Sequence, residues 1–403
     1  MIRRRSLLTA AATAGFLPAA PAILRAAETP GVTATSIKIG NTDAYSGNAS
    51  AYAAVAKADA AVFRMINDQG GINGRKVDFI SYDDSYSPPK TVEQTRRLIE
   101  QDEVACLFNP LGTATNTAIV RYCNQKKVPQ LFVSTGADKW GDYKEHPWTI
   151  GWQPSYRTEA QIYAKYIQKT KPGAKIGILY QNDDFGKDYT GGMKDILGAA
   201  YEKATVVSFE ATDATIDSQA VTLQGAGVDT LLIAATPKFA AQAIRKVAEM
   251  GWKPTTFLTN VSASVGAVIK PAGVENAVGV ISSAYAKDPS DPRWKNDPGL
   301  NGWRAFMAKH MPDADVSDNN YVFGYGVTNT MIHVLQACGN DLSRANLMKQ
   351  ATGLKDVENP ILLPGIKINT SPTNYHPIRQ MQLMKWTGTS WDVFGDIIEG
   401  AST

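Results

Sequence analysis

Short strand-like segments alternate with helix-length amphipathic ones, in two successive runs, and this pattern constrains the chain more than any other feature. Residues 37–39 read as a strand, and 51–67 as a helix with Tyr52, Val55, Ala56, Val62, Phe63 and Ile66 along one side. The turn Gly70-Gly71-Ile72-Asn73-Gly74 leads into a strand over 76–82 and a helix over 89–101. A strand over 105–108, a helix over 115–126 and a strand over 130–133 complete the first run. The second opens with a helix over 156–169. It continues through a strand over 175–180, a helix over 186–198, strands over 205–209 and 230–234, a helix over 239–250 and a strand over 256–258. Connections of this length join parallel strands, so the pattern predicts an α/β fold of two lobes, each a mainly parallel sheet flanked by helices. Residues 282–294, rich in Pro, Asp and Ser, read as a crossing between lobes. Helices over 301–309 and 320–337, a Pro-rich stretch over 359–364, and a strand pair over 380–386 and 391–394 across Gly388 close the chain.

The N-terminus stands outside this pattern. Arg3, Arg4 and Arg5 precede Ser6-Leu7-Leu8 and an apolar run to Phe16-Leu17, the parts of a secretory leader. That run is about 10 residues long, against roughly 20 needed to cross a bilayer. Arg4-Arg5-Ser6-Leu7-Leu8 also fits the twin-arginine export pattern, and Arg25 late in the leader suits that route. Residues 1–27 are therefore expected to be a cleaved export signal, with Ala20-Pro21-Ala22 and Arg25-Ala26-Ala27 both open as cleavage regions. No cysteine occurs before Cys106 to carry a lipid. The mature product is expected to be soluble in the periplasm and not anchored to the membrane.

Charge narrows the partners. Four of the 41 Lys and Arg residues precede Glu28, leaving 37 against 38 Asp and Glu, a net charge of about −1 for the remainder. Nucleic acid is not an expected partner, because its phosphates require a basic face. Cys106, Cys123 and Cys338 are too few and too scattered for a disulfide framework or a zinc site, although one bridge, Cys106 to Cys123, stays open. About 375 mature residues exceed one ordinary core and suit two lobes.

The order of several short stretches carries a resemblance. They are Ile37-Lys38-Ile39-Gly40, Tyr45-Ser46-Gly47 and Tyr52, then Ile66-Asn67-Asp68-Gln69-Gly70-Gly71-Ile72-Asn73-Gly74-Arg75 and Tyr82-Asp83-Asp84. Val128-Pro129-Gln130 leads into Ser134-Thr135-Gly136-Ala137, and Tyr180-Gln181-Asn182-Asp183-Asp184-Phe185-Gly186 opens the second lobe. Over nearly all of the mature sequence the chain resembles the periplasmic solute-binding proteins (type I) of the branched-chain amino-acid ABC importers. The resemblance implies exchange of segments between lobes: 35–152 plus 286–354 form the first, and 153–285 plus 355–403 the second. It also implies a small-molecule ligand, an inner-membrane permease with its ATPase as partner, a monomer, and no cofactor or metal.

In open α/β sheets a ligand sits beyond the carboxyl ends of the strands. The loop after 105–108 brings Gly112 and Thr113 to a helix N-terminus, where backbone can approach closely and a carboxylate is favoured. The loop after 130–133 offers Gly136 and Ala137 in the same way. As structure alone, both loops would be tight turns with capping hydroxyls. Tyr52 would cover the ligand from the first lobe, or be a core residue of its helix. Phe185 stands where the resemblance implies an aromatic ring from the opposite lobe.

The departures bear on the ligand. Relatives that hold α-amino acids present Ser or Thr at the Gly112 position, a Thr near Asp138, a tyrosine where Thr236 stands, and a carboxylate from the loop that here reads Thr259-Asn260-Val261-Ser262-Ala263. A buried ammonium without a carboxylate partner is costly. Asp138 either supplies that charge or caps residues 139–141. The expected ligand is a small carboxylate with an apolar body, an aromatic acid first and a branched-chain or other amino acid next. An enzyme is not expected. There is no Gly-x-Ser-x-Gly elbow, and His146, His310, His333 and His376 follow no metal-ligand spacing. A ligand-sensing subunit for a membrane receptor is the alternative, since the same fold serves sensing.

Overall fold

The computed structural model describes residues 29–399, so the expected export signal lies outside the described residues. The first sheet holds β1 (Ser36–Asp43), β2 (Lys76–Asp83), β3 (Cys106–Phe108), β4 (Gln130–Val133) and β5 (Thr149–Gly151). Its order is β2-β1-β3-β4-β5, parallel at every pairing. The second sheet holds β6 (Ile176–Gln181), β7 (Thr205–Phe209), β8 (Thr230–Ala234), β9 (Thr255–Leu258), β10 (Ile281–Ala284), β11 (Gln380–Trp386) and β12 (Trp391–Glu399), in the order β12-β11-β10-β9-β8-β6-β7. Here β10, β9, β8, β6 and β7 run parallel, and β11 and β12 add an antiparallel edge. Every residue of β4 and of β8 is buried, as befits strands covered by helices on both faces.

The helices are α1 (Ala53–Asp68), α2 (Pro88–Glu100), α3 (Thr113–Lys126), α4 (Tyr156–Thr170), α5 (Asp184–Leu197), α6 (Asp217–Gly225), α7 (Pro237–Glu249), the short α8 (Lys270–Ala272), α9 (Pro298–His310), α10 (Asn320–Cys338) and α11 (Arg344–Ala351). Proline in the first turn starts α2, α7 and α9, where a missing N–H costs nothing. Ser155 and Asp183 cap α4 and α5 through their side chains.

Although α10 follows the second sheet in sequence, it packs on α1 of the first lobe. Thr328 Oγ1 donates to Asp59 Oδ1 at 2.8 Å, and a Cβ on Gly324 would stand 2.6 Å from the Val55 carbonyl oxygen. Glycine there lets the two helix backbones approach. In α11, Arg344 donates from Nε to the Ala105 oxygen and from Nη2 to the Val104 oxygen, both at 3.0 Å.

The chain passes between lobes near residues 152–155, 285–287 and 359–363. The second and third passages pair with each other: Lys287 N donates to Ile361 O at 2.8 Å and Leu363 N to Tyr285 O at 2.9 Å. The buried Trp152 braces the first passage, edge-on to Tyr285 at 6.0 Å and to Phe323 at 5.3 Å, with its indole N–H donating to Thr330 Oγ1 at 3.0 Å.

Three expectations change. The crossing read from residue 282 starts at Tyr285, because residues 281–284 form an interior strand, β10. Its two buried serines hide it from an apolar pattern, and they are satisfied within the sheet: Ser282 Oγ donates to Leu258 O at 2.8 Å and Ser283 Oγ to Glu159 Oε1 at 2.9 Å. The helix expected from residue 115 begins at Thr113, which makes Gly112 its N-cap. The bridge left open between Cys106 and Cys123 is not formed; both are buried free thiols.

Candidate functional site

A cavity lies between the lobes, at the carboxyl ends of the parallel strands. Tyr52, Val55, Tyr86, Leu111, Gly112, Thr113 and Ser134 line it from the first lobe. Phe185, Thr236, Asn260 and Val261 face them from the second. The passages add Gln153 and 285–288, the end of β10 adds Ser283 and Ala284, the start of α4 adds Tyr156, and the start of α10 adds Asn319, Asn320, Val322 and Phe323. The volume is about 90 Å³.

Gly112 sets the geometry of the first wall. Its φ of +94° lies where side-chain-bearing residues rarely go, and a Cβ would run into the Tyr86 ring and stand 2.7 Å from Thr115 Oγ1. Its own amide is used, donating to Ser134 O at 3.1 Å. Thr113 is the first helical residue, so its amide has no acceptor within the helix, and it lies at the positive end of α3. A 2.6 Å hydrogen bond between the Thr113 and Thr135 hydroxyls fixes the side chain.

The second expected loop contributes differently. Only Ser134 lines the cavity; Gly136, Ala137 and Asp138 do not. Gly136 O accepts from Tyr156 N at 2.8 Å, and a Cβ there would stand 2.5 Å from Pro154 O, so this glycine lets the first passage cross. Ala137 is buried, with its amide on Thr135 Oγ1 at 3.2 Å. Asp138 accepts from Ser155 Oγ at 2.6 Å and lies 3.9 Å from His376 Nε2, which ties it to the passage.

On the second wall, Phe185 is buried edge-on to Tyr156 at 4.9 Å and to Tyr189 at 5.6 Å, so its ring belongs to the lobe's core as well as to the cavity. Thr236 Oγ1 donates to Gln181 Oε1 at 3.1 Å, and Gln181 Nε2 to Asp183 Oδ2 at 2.6 Å. Asn260 is held from beneath by Glu159, which accepts from Asn260 N at 2.8 Å and from its Nδ2 at 2.5 Å. Glu159 also accepts from Tyr163, from Tyr189 at 2.5 Å and from Ser283 at 2.9 Å. Burial raises its pKa, and the surrounding donors pull the other way. With its lone pairs taken, Glu159 fixes Asn260 and has none to spare for a solute.

Two charged lining residues escaped the sequence reading. Lys287 is spent on Asp297, 2.8 Å from each carboxylate oxygen, and on Pro360 O at 2.9 Å. Asp288 accepts from Ser290 N at 2.8 Å and from its hydroxyl at 2.5 Å, and burial pushes its pKa up to about 6. An acid thus does reach the cavity, from the passage and not from the 259–263 loop. The only signal for it was the Asp- and Pro-rich composition of 286–292, which marks a turn without saying which carboxylate turns inward. No group of three or more His, Cys, Asp or Glu side chains suited to a metal ion occurs among the described residues.

The lobes are drawn together over this space. Tyr52 OH donates to Val261 O at 3.1 Å, Asn48 Nδ2 to Ala211 O at 2.9 Å, and Lys238 Nζ to Asn48 Oδ1 at 3.0 Å. Lys139 and Asp184 pair at 2.6 Å farther along the rim. Two parallel α/β lobes joined by three passages, closed on a cavity lined by aromatic rings and a helix N-terminus, define a two-lobed solute-binding protein. Residues 36–390 match the profile of the periplasmic binding protein family, and the chain belongs to it. That family is one of binding proteins and not of enzymes.

Solved structures share the fold. A substrate-binding periplasmic protein from Ralstonia solanacearum aligns with a TM-score of 0.79 at 21% identity, covering 90% of this chain and 100% of that one. A branched-chain amino-acid ABC transporter protein from Thermus thermophilus with bound valine gives 0.82 at 13% identity, over 91% and 97%. A fatty acid ABC transporter substrate-binding protein from Thermomonospora curvata gives 0.76 at 20% identity, over 93% and 95%. No curated protein matches the chain by sequence. No helix among the described residues is long and apolar enough to cross a membrane.

Proposed function

We propose that the chain is the soluble periplasmic component of an ABC importer and captures a small carboxylate, an aromatic acid first, for an inner-membrane permease and its ATPase. The observation that carries this reading is that Thr113, the first residue of α3, whose amide has no acceptor within the helix, lines a cavity that is also walled by aromatic residues. Oriented amides hold a carboxylate without a cation, and Tyr52, Tyr156, Phe185, Tyr285 and Phe323 offer flat apolar surface for its body. Of the similar structures, one holds valine and another is named for fatty acids, and both are carboxylates. The volume of about 90 Å³ is below the roughly 150 Å³ known to take a benzene ring, so a one-ring solute requires the lobes to stand slightly farther apart than they do here.

The two lobes move as units about the three passages, and closure follows from contacts on both walls. Isothermal titration of the mature protein tests the reading. An aromatic or short aliphatic carboxylate is expected to bind in the micromolar range, roughly −8 kcal/mol. Leucine, isoleucine and valine should bind at least tenfold more weakly. Tight leucine binding would overturn the preference for an acid without an ammonium.

A further inference from the structure

One end of the cavity carries polar atoms whose partners are missing. Asn320 is only 7% exposed, and its Nδ2 is buried without a hydrogen-bond partner. The neighbouring Asp318 accepts through Oδ1 from Ser264 Oγ at 2.8 Å and from Asn320 N at 3.0 Å, and although its carboxyl lies beside the Asn320 side chain it makes no well-formed hydrogen bond with that donor. Beside it, Asp288 is 7% exposed, with Oδ1 taken up by Ser290. Its Oδ2 has only Asn319 Nδ2 at 3.5 Å, beyond the usual N–H···O range. A buried donor without a partner and an acceptor with one long contact thus stand beside the start of α10, and Asp288, Asn319 and Asn320 all line the cavity.

We propose that Asp288, Asn319 and Asn320 form a subsite for a neutral group that both donates and accepts, a hydroxyl above all, at the end of the solute away from its carboxylate. The orientation rests on the carboxylate reading above; the subsite itself does not. A hydroxyl gives its proton to Asp288 Oδ2 and takes a hydrogen bond from Asn320 Nδ2, so both open atoms are satisfied. An ammonium would serve Asp288 alone, because it accepts nothing and leaves Asn320 orphaned. A second carboxylate would meet Asp288 with no cation to separate them, Lys287 being spent on Asp297 and Pro360. The predicted solute class is therefore hydroxy acids, and neither amino acids nor diacids.

The test uses three matched pairs titrated into the mature protein: benzoate with 4-hydroxybenzoate, phenylacetate with 4-hydroxyphenylacetate, and butyrate with 4-hydroxybutyrate. In at least one pair the hydroxylated member should bind tenfold or more tightly. Asn320→Ala, whose lost side chain makes no hydrogen bond through Nδ2, should reduce that ratio to within twofold of one. Asp288→Asn should do the same, with a ligand-free melt reporting whether the Ser290 turn survives. Equal affinities within every pair, or a preference that survives Asn320→Ala, would overturn the subsite while the carboxylate reading stands. Methyl esters of the hydroxylated members supply the converse: esters that bind as well as the acids and still depend on Asn320 would leave the subsite standing and remove the carboxylate reading. If no probe of either kind binds, both fall.

Discussion

The two walls of the cleft meet the solute in different ways. The first lobe offers backbone: Gly112 bends the chain at φ +94° and Thr113 presents an amide at a helix start, with Ser134 O holding the turn. The second offers side chains, Phe185, Thr236 and Asn260, each braced by a layer behind it, Tyr156 with Tyr189, Gln181 with Asp183, and Glu159. Backbone geometry is indifferent to most substitutions, so the first wall is a fixed anchor. Side chains can be exchanged without moving the fold, so the second wall, together with the Asp288, Asn319 and Asn320 end of the cavity, is where selectivity between solutes is set. A fixed anchor fails all at once, and a braced side chain fails by degrees.

The largest expected effect breaks the anchor. Gly112→Val forces a branched side chain into Tyr86 and Thr115 at a backbone angle it rarely adopts, and should raise the Kd of any solute by at least about 100-fold, some 2.7 kcal/mol. Titration calorimetry reads this directly, and a tenfold change or less would mean that the wall tolerates a side chain. Next is the layer beneath the second wall. Glu159→Ala leaves donors from Tyr163, Tyr189, Asn260 and Ser283 without their acceptor, and should cost about 3–5 kcal/mol of stability in a urea melt. Glu159→Gln, which keeps the shape and one acceptor oxygen, should cost less than half as much.

Phe185→Ala sharpens the contrast, because its ring serves both core and cavity. A stability loss of about 3 kcal/mol is expected for a buried phenylalanine, together with an affinity loss of roughly 1–3 kcal/mol for an aromatic wall residue. An unchanged melting temperature would mean that the ring faces an open cleft. The smallest effect lies across the gap. Tyr52→Phe removes the hydroxyl that reaches Val261 O and should weaken affinity by about 0.5–1.5 kcal/mol, through the closed state alone. Small-angle scattering should then show a ligand-bound radius of gyration shifted toward the unbound one.

What could be read before the fold was in hand follows the same division. Gly112-Thr113 is visible because a glycine between a strand and a helix is a local signal, and local signals survive in sequence. Phe185, Thr236 and Asn260 are visible because the family resemblance marks their positions, just beyond β6, β8 and β9, and they do line the cavity. Gly136, Ala137 and Asp138 satisfy the same local rule, yet they support the passage at Pro154 and Ser155. Whether a loop beyond a strand end faces the cleft or the hinge depends on where the chain returns from the other lobe, and that is not local. Glu159 and Asp288 were invisible for a related reason. The first is one acid on an amphipathic helix, and the second one of several in a turn. Each acquires its role from residues about 100 and 30 positions away, Asn260 and Asn319. The strand β10 was lost to its two serines, whose polarity is cancelled only by the sheet around them.

The return of α10 to the first lobe also governs the order in which the protein can be made. A growing chain that has finished β5 owns every strand of the first sheet but lacks Thr328 for Asp59 and Gly324 for the groove beside Val55. Until the nineteen residues of α10 have emerged, the α1 surface that this helix will cover stands open. The N-terminal lobe is therefore finished by residues near the C-terminal end, after the second sheet's parallel strands have been laid down. A nascent chain cannot bank the first lobe as a completed domain, as most multidomain chains do. It must carry an unsealed apolar surface through most of its synthesis and lock both lobes at nearly the same moment.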